Sequence, residues 1–263
     1  MLAGIKDILI ITTPADIALF QALLGDGSQF GISLSYAVQE TPGGIAQAFL
    51  VGEDFIGTES VALILGDNIF YGGWFRKNLS EAVKNAEAGY STIFAYYVKD
   101  PQRFGVVEFD EEQNVISLEE KPANPKSNYC VTGLYFYDSR ATQMAKSLTP
   151  SARGELEITD LNNLYLEENL LKVQILGRGF TWMDTGTIDS LMDAASFIHT
   201  VQSREGLIIS APEEIAYRKK WITREELLKF AKLYGESSYG KHLQHVAEDM
   251  IQFDKECSIK KLS

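Results

Sequence analysis

The sequence predicts an α/β protein built on a doubly wound, mostly parallel mixed sheet, followed by C-terminal helices. Apolar runs alternate with amphipathic stretches through residues 8–65, which is the pattern of successive β-α-β units. Residues 61–65 are apolar without a break, as in a strand that helices cover on both faces. With 263 residues and 45% hydrophobic content, the chain has enough apolar material for a large core.

The first part of the chain alternates predicted strands with predicted helices. Pro14 begins the first helix and Gly25 ends it, because proline suits the first helical turn and glycine suits the C-terminal end. Gly66, Asp67 and Asn68 end the third strand, since these residue types favour turns. The predicted strands are 8–11, 32–38 and 61–65, and the predicted helices are 14–24, 44–55 and 74–88.

The middle of the chain is richer in strands, and its end is helical. A polar segment at 110–114 reads as a hairpin loop between two strands. Residues 187–250 read as helices with N-caps at Thr187, Thr223 and Ser238. The remaining predicted strands are 91–98, 104–109, 115–120, 129–137, 171–176 and 180–182, and the remaining predicted helices are 138–147 and 156–168.

Composition excludes several classes of partner. The formal net charge of −12 argues against nucleic acid, because binding its backbone requires a basic surface. Cys130 and Cys257 are too few and too far apart to indicate a disulfide framework or a thiolate metal site. We find no secretion signal and no apolar run near the ~18 residues that a membrane span needs. We therefore expect a cytoplasmic protein without a membrane partner.

Two aspartates form the first candidate site. Asp67 and Asp184 each follow an apolar or aromatic strand and precede a turn, so both can project from one rim of the sheet. Two carboxylates, together with phosphate oxygens and water, make a hard oxygen site that suits magnesium. The alternative is that both are unrelated turn residues.

Charged and amide side chains form the second group of candidates. Lys121 precedes Pro122 at a strand end and can hold a phosphate, while Glu120 can accept hydrogen bonds from sugar hydroxyls. Arg153 lies just before a helix start, where anions bind. Gln39 and Gly44 flank a loop that leads into a helix, where an amide can read a base edge. A solvated strand end, a surface arginine and a structural loop are the alternatives.

Together these segments resemble the sugar nucleotidyltransferases, and within them the thymidylyl branch. The resemblance covers almost the whole chain to about residue 239. The segments that carry it are FQALLGDGSQFGISLSYAVQ (20–39), GIAQAF (44–49), ALILGDNIFYG (62–72), FGVVEFD (104–110), SLEEKP (117–122), SNYCVTGLYFYD (127–138), PSARGELEITDLN (150–162) and TWMDTGT (181–187).

The resemblance implies a Rossmann-like nucleotide-diphospho-sugar transferase fold and the transfer of a nucleotidyl group from dTTP to glucose 1-phosphate. The products would be dTDP-glucose and diphosphate, the first step of dTDP-rhamnose synthesis, made by a homotetramer. It implies an incomplete nucleotide-binding half (1–90), a mixed β half that binds the sugar phosphate (91–186) and a C-terminal helical region (187–263). The implied site residues are Asp67 and Asp184 for magnesium, Gln39 and Gly44 for thymine, and Gly105, Glu120, Lys121, Val131, Arg153 and Trp182 for glucose 1-phosphate, with Asp67, Asp184 and Lys121 catalytic.

The chain departs from this family at its beginning. It lacks the glycine-rich GGxGTRL loop that wraps the triphosphate and the strand before it. We therefore expect a fold truncated at its N-terminal strand, with unpaired strand edges, bare apolar faces, low stability and weak turnover. Two alternative functions stay open: a non-catalytic module that binds sugar phosphates or nucleotide sugars, and a nucleotidyltransferase for another base or sugar.

Overall fold

The computed structural model describes residues 1–112 and 114–250, which divide into two compact units. The larger unit comprises Leu9–Leu23 and Ser35–Ala195. Among the described residues, the smaller unit comprises Met1–Ile8, Leu24–Leu34 and residues 196–250. Cys257 and the last part of the predicted region 187–263 lie outside the described residues.

Strands and helices alternate in the order that the sequence predicts, with one additional strand. The strands are β1 (Asp7–Thr12), β2 (Ser33–Val38), β3 (Val61–Ile64), β4 (Asn68–Gly72), β5 (Ser91–Tyr97), β6 (Gly105–Phe109), β7 (Val115–Glu120), β8 (Tyr129–Tyr137), β9 (Leu171–Leu176) and β10 (Phe180–Asp184). The α-helices are α1 (Ile17–Leu24), α2 (Gln47–Val51), α3 (Glu53–Ile56), α4 (Phe75–Glu87), α5 (Ala141–Ser147), α6 (Ile158–Glu167), α7 (Ile188–Glu205), α8 (Pro212–Arg218), α9 (Arg224–Tyr234) and α10 (Ser238–Ala247).

The larger unit is organised around β8. On one edge β8 pairs with β5, and on the other edge it pairs with β6 near Cys130 and with β3 from Leu134 to Tyr137. Strands β7 and β9 complete a six-stranded mixed sheet, in which five strands follow the order β7-β6-β8-β5-β9 and the sixth, β3, pairs with β8 outside this order. Strands β1 with β2 and β4 with β10 form separate two-stranded sheets. Because β6 and β3 share one edge of β8, a gap opens between them at Gly133.

Helices cover both faces of this sheet. On one face Phe49 from α2 and Tyr165 from α6 pack against Tyr137 of β8, with ring centroids 5.3 and 5.4 Å apart. Alternate residues of a strand point to opposite faces, so Phe94 and Phe136 pack together on the other face. Helix α4 packs on β5, and its buried residues Leu79 and Ala82 are not part of the apolar cluster that contains Phe49, Tyr137 and Tyr165. The α/β class with a doubly wound sheet is therefore confirmed.

The balance of strand directions differs from the expected one. Among the pairs within the six-stranded sheet, β5 with β9 is parallel, whereas β8 pairs antiparallel with β3, β5 and β6. The β-α-β spacing of residues 8–65 predicted three parallel neighbours in one sheet, but β1 and β2 form a separate two-stranded sheet and β3 pairs antiparallel with β8. The spacing between apolar runs gives the length of the segment that connects two strands. It does not determine which strand, distant in the sequence, pairs with each of them.

Three local predictions need correction. The helix predicted at 44–55 divides into α2 and α3 at Gly52, where any side chain would lie 3.1 Å from Leu9 Cδ2. Strand β4 begins at Asn68, where we expected only a turn. The N-cap of α10 is Ser237 rather than Ser238, because the Ser237 hydroxyl accepts the N–H of Gly240.

Apolar side chains of α1 and β3 are exposed. Leu19 is 68% exposed and Leu23 is 76% exposed on α1, a helix without a buried residue. In β3, Ile64 is 59% exposed, and within the described chain β8 is the strand with which β3 pairs. Low stability of the product stays a prediction.

The smaller unit has its own core. Leu227 of α9 and Leu243 and Val246 of α10 are fully buried there. Thr223 begins α9 with a capping box, as the sequence predicts. Two buried acids of α8 are also satisfied: Glu213 accepts the hydroxyl of Tyr234 at 3.0 Å, and Glu214 contacts His242 at 2.8 Å. Among the described residues, no helix has the length and apolar character to cross a membrane.

Candidate active site

The antiparallel pairing of β4 with β10 brings the two predicted aspartates together. In this ribbon Asp184 lies opposite Asn68, the residue after Asp67. The backbone N–H and the hydroxyl of Thr185 both donate to the Asp67 carbonyl, at 2.8 and 2.9 Å. The two aspartates therefore meet at one end of a ribbon rather than at the ends of parallel strands.

Both carboxylates face the same small space beside Gly186. A Cβ atom placed on Gly186 would lie 2.9 Å from Asp184 Oδ1 and 3.6 Å from Asp67 Oδ2. The Gly186 N–H donates to Asp184 Oδ1 at 2.5 Å, which fixes that carboxylate. Arg103 lies 3.8 Å from Asp184 Oδ2 and is half-exposed. The absence of a side chain at Gly186 keeps this space open for a small charged ligand.

Most of the predicted site residues line one cavity of about 160 Å³. Gly105 contributes bare backbone to its wall, and Trp182 is held edge-on to Phe104 with ring centroids 5.1 Å apart. The Thr159 hydroxyl donates to Glu120 Oε2 at 2.6 Å and orients that carboxylate. The predicted residues in the wall are Asp67, Gly105, Glu120, Lys121, Val131, Trp182 and Asp184.

Two cations stand at the Glu120 side of the cavity. Lys121 has a positive φ of 43°, in keeping with the prediction that Pro122 forces it out of regular structure, and its Nζ lies 3.7 Å from Glu120 Oε1. Arg153 lies 3.6 Å from Glu120 and makes hydrogen bonds of 2.7 to 3.2 Å to Glu157. The hydrogen bond to Glu157 raises the pKa of the Arg153 guanidinium. These acids hold Arg153 in place as a permanent cation.

Gln39 and Gly44 lie together in the loop before α2. The Gln39 amide donates to Gln47 Oε1 at 2.6 Å and to the Gly44 carbonyl at 3.3 Å. Gly44 has a φ of 97°, and a Cβ atom there would lie 2.3 Å from the carbonyl oxygen of Leu156. The position therefore requires glycine, and Gln47 fixes the orientation of Gln39.

Sequence reasoning missed several residues that contact these groups. Asn68 bonds to the Asp67 carboxylate, Arg103 approaches Asp184, and Thr159 orients Glu120. Tyr135 is buried in the cavity wall, and burial raises the pKa of its hydroxyl, aided by the charges of Glu120 and Asp67. The adjacency of Asn68 to Asp67 was a usable signal. For the other three, no spacing in the sequence marks their proximity.

Known nucleotidyltransferases resemble this chain in sequence. A family model described as nucleotidyl transferase matches residues 1–201. Glucose-1-phosphate thymidylyltransferase of Neisseria gonorrhoeae is 59% identical over 246 residues, which cover 94% of this chain and 85% of that protein. The enzyme of the same name from Mycobacterium tuberculosis is 50% identical over 248 residues, with coverage of 94% and 85%.

Solved structures agree with the sequence relatives. A Bacillus anthracis protein described as a candidate glucose-1-phosphate thymidylyltransferase, in complex with sucrose, has a TM-score of 0.66 and 43% identity over 73% of this chain and 76% of that chain. UDP-glucose pyrophosphorylase complexed with UDP-glucose has a TM-score of 0.63 and 22% identity over 76% of this chain and 83% of that chain, which shows a shared fold.

The chain therefore belongs to the nucleotidyl transferase family, a family of enzymes. Within it, the chain is similar to the glucose-1-phosphate thymidylyltransferases of Neisseria and Mycobacterium over nearly all of its length. The predicted family and enzyme class are confirmed.

Proposed function

We propose that this protein transfers a thymidylyl group from dTTP to glucose 1-phosphate and releases diphosphate. The observation that supports this most directly is the juxtaposition of a pair of carboxylates with a cavity of about 160 Å³ that has cations beside it. This combination suits a reaction that joins two anions, because catalysis then depends on positioning and on charge neutralisation.

The cavity residues would hold the sugar phosphate in place. Glu120, already oriented by Thr159, would accept hydrogen bonds from sugar hydroxyls, and Gly105 lets the sugar approach the backbone. Lys121 would bind the phosphate through its compact ammonium charge, and Arg153 would bind it through the N–H groups of its planar guanidinium. Trp182 and Val131 supply apolar walls that exclude water. Asp67 and Asp184 line the same cavity, so a sugar phosphate bound there would lie beside the carboxylate pair.

Gln39 and Gly44 would meet the thymine base. The Gln39 amide is held by Gln47 in one orientation, so it can present a fixed pattern to a base edge. Gly44 keeps the loop close to Leu156 and leaves no side chain in the way. We propose that this loop selects the base.

Asp67 and Asp184 are suited to hold magnesium. Their carboxylates face one open space, and within residues 1–112 and 114–250 no group of three or more His, Cys, Asp or Glu side chains could hold a metal ion. Magnesium accepts this arrangement, since it commonly binds one or two carboxylates and takes its other ligands from substrate phosphates and water. When bound, it would supply positive charge to the transferring phosphate.

The test is release of diphosphate from dTTP, glucose 1-phosphate and Mg²⁺. Loss of a metal ligand costs several kcal/mol of transition-state stabilisation, so Asp67→Ala is expected to lower kcat/KM by about 100-fold or more. Asp54→Ala, which removes an exposed aspartate of α3, is the matched control and should leave turnover unchanged.

Two outcomes would contradict the proposal. Binding of both substrates by calorimetry without release of diphosphate would favour the non-catalytic binding module. Near-normal turnover by Asp67→Ala would remove Asp67 from the reaction. Parallel assays with UTP and with other sugar 1-phosphates define the base and sugar preference.

We further propose that the protein acts as a homotetramer in the cytoplasm, at the first step of dTDP-rhamnose synthesis. The names of its relatives support the substrate pair, and the family resemblance supports the assembly and the pathway. Light scattering at several protein concentrations measures the assembly, and a stable monomer would contradict that part of the proposal.

A further inference from the structure

Asn68 fills the gap between β3 and β6 on the edge of β8. Its Oδ1 accepts the backbone N–H of Gly133 at 3.0 Å, a donor that neither neighbouring strand takes. The same Oδ1 accepts the indole N–H of Trp182 at 2.6 Å. One side-chain oxygen thus connects the central strand with the apolar wall of the cavity.

These two contacts fix which way the amide points. A backbone N–H and an indole N–H can only donate, so the atom that faces them must be the carbonyl oxygen of Asn68. The amide nitrogen then faces the other way and donates to Asp67 Oδ1 at 2.7 Å. A Cβ atom on Gly133 would lie 2.7 Å from Asn68 Oδ1, so the absence of a side chain there is what lets the amide fit.

We propose that Asn68 is a positioning residue that holds the Asp67 carboxylate for the metal and links it to Trp182. Asp67 is exposed and comes before β4, so its backbone alone leaves its side chain free to rotate. The bond to Oδ1 selects one rotamer and leaves Oδ2 facing the space beside Gly186. This inference rests on the metal role that we propose for Asp67.

The inference predicts a graded effect of substitutions along the chain of bonds from Trp182 through Asn68 to Asp67. Removing the amide in Asn68→Ala frees the carboxylate completely. Trp182→Phe keeps an aromatic wall but removes one of the two donors to Oδ1, so Gly133 still holds the amide. The effect on metal affinity should therefore be largest in Asn68→Ala and smaller in Trp182→Phe.

The experiment measures Mn²⁺ binding by electron paramagnetic resonance, with no substrate present and then with dTTP. The specific component is the Mn²⁺ that the wild type binds and Asp67→Ala does not. Loss of an outer-shell partner commonly costs ~10- to 100-fold in metal affinity, so Asn68→Ala should raise the Kd of this component by about 10-fold or more. Asn78→Ala is the control, because Asn78 bonds Gln174 and does not line this cavity.

Each outcome decides the inference separately from the proposed reaction. A weaker specific component in an Asn68→Ala variant that is folded at the assay temperature, with an unchanged Asn78→Ala, supports it. Wild-type Mn²⁺ affinity in a folded Asn68→Ala overturns it even if the wild type releases diphosphate. Loss of Mn²⁺ in Asn68→Ala supports it even if no diphosphate is released. Absence of any component specific to Asp67 overturns it.

Discussion

Gly105 offers a direct test of where the sugar lies. A Cβ atom on this residue of β6 would lie 3.0 Å from Thr159 Oγ1, 3.5 Å from Glu120 Oε2 and 3.8 Å from Val131 Cβ. The added methyl group would therefore occupy the part of the cavity where the proposed sugar contacts are made. Gly105 does not have a positive φ, so alanine fits its backbone without strain.

The expected magnitude follows from overpacking. An extra methyl group in a filled site costs about 1–3 kcal/mol, and a tenfold change in Kd corresponds to about 1.4 kcal/mol. Gly105→Ala should therefore raise the Kd for glucose 1-phosphate by about 10- to 100-fold. The fold should tolerate the change, since a Gly-to-Ala exchange at a compatible position stabilises by about 0.4–1 kcal/mol, which offsets the small displacement of Thr159.

Calorimetric titration with glucose 1-phosphate measures the loss, and a thermal melt shows that the variant folds. The matched control is Gly177→Ala, because no atom lies within 4 Å of the added Cβ and φ is not positive there. If a folded Gly105→Ala binds glucose 1-phosphate as tightly as the wild type, the sugar does not lie against Gly105, and the assignment of this cavity to the sugar is wrong.

Two further predictions concern stability. Burial alone would raise the pKa of Glu157, but the hydrogen bonds from Arg153 and Ser151 and the charges of Arg153 and Lys121 together outweigh it and hold the pKa below its ordinary value. The stabilisation from Glu157 is therefore complete above its ordinary pKa and is lost as pH falls through the lower folded value. Urea unfolding from pH 3 to 7 should show a weaker acid dependence in Glu157→Gln than in the exposed control Glu111→Gln, and equal slopes would contradict this. Thr223→Ala should lower the free energy of unfolding by about 1 kcal/mol, because it removes the N-cap of α9. The control Thr200→Ala, on the exposed face of α7, should change it by less than about 0.5 kcal/mol. Equal losses in denaturant unfolding would show that the cap is not stabilising.

Element boundaries followed from local rules. The apolar run at 61–65 predicted a strand covered on both faces. The strand is present as β3 at Val61–Ile64, but its burial was predicted wrongly, since none of its residues is buried and Ile64 is 59% exposed. Thr223 predicted an N-cap, and the capping box is present. These features depend on residues within one turn or one strand, so local preferences are enough to predict them. The break at Gly52 escaped prediction, although a glycine inside a helical pattern is itself a local sign that the helix can end there.

At the candidate site, too, some features follow from the sequence and others only from the tertiary structure. The sequence by itself determined the chemical types at the site and, by resemblance, the family: Asp67 and Asp184 as oxygen donors, and Lys121 and Arg153 as cations. Their arrangement was decided by tertiary structure, because the antiparallel pairing of β4 with β10 joins positions that are distant in the chain. The role that we propose for Asn68 has the same origin. Its partners Gly133 and Trp182 belong to strands that meet only in the folded chain, so no spacing in the sequence could reveal the contact.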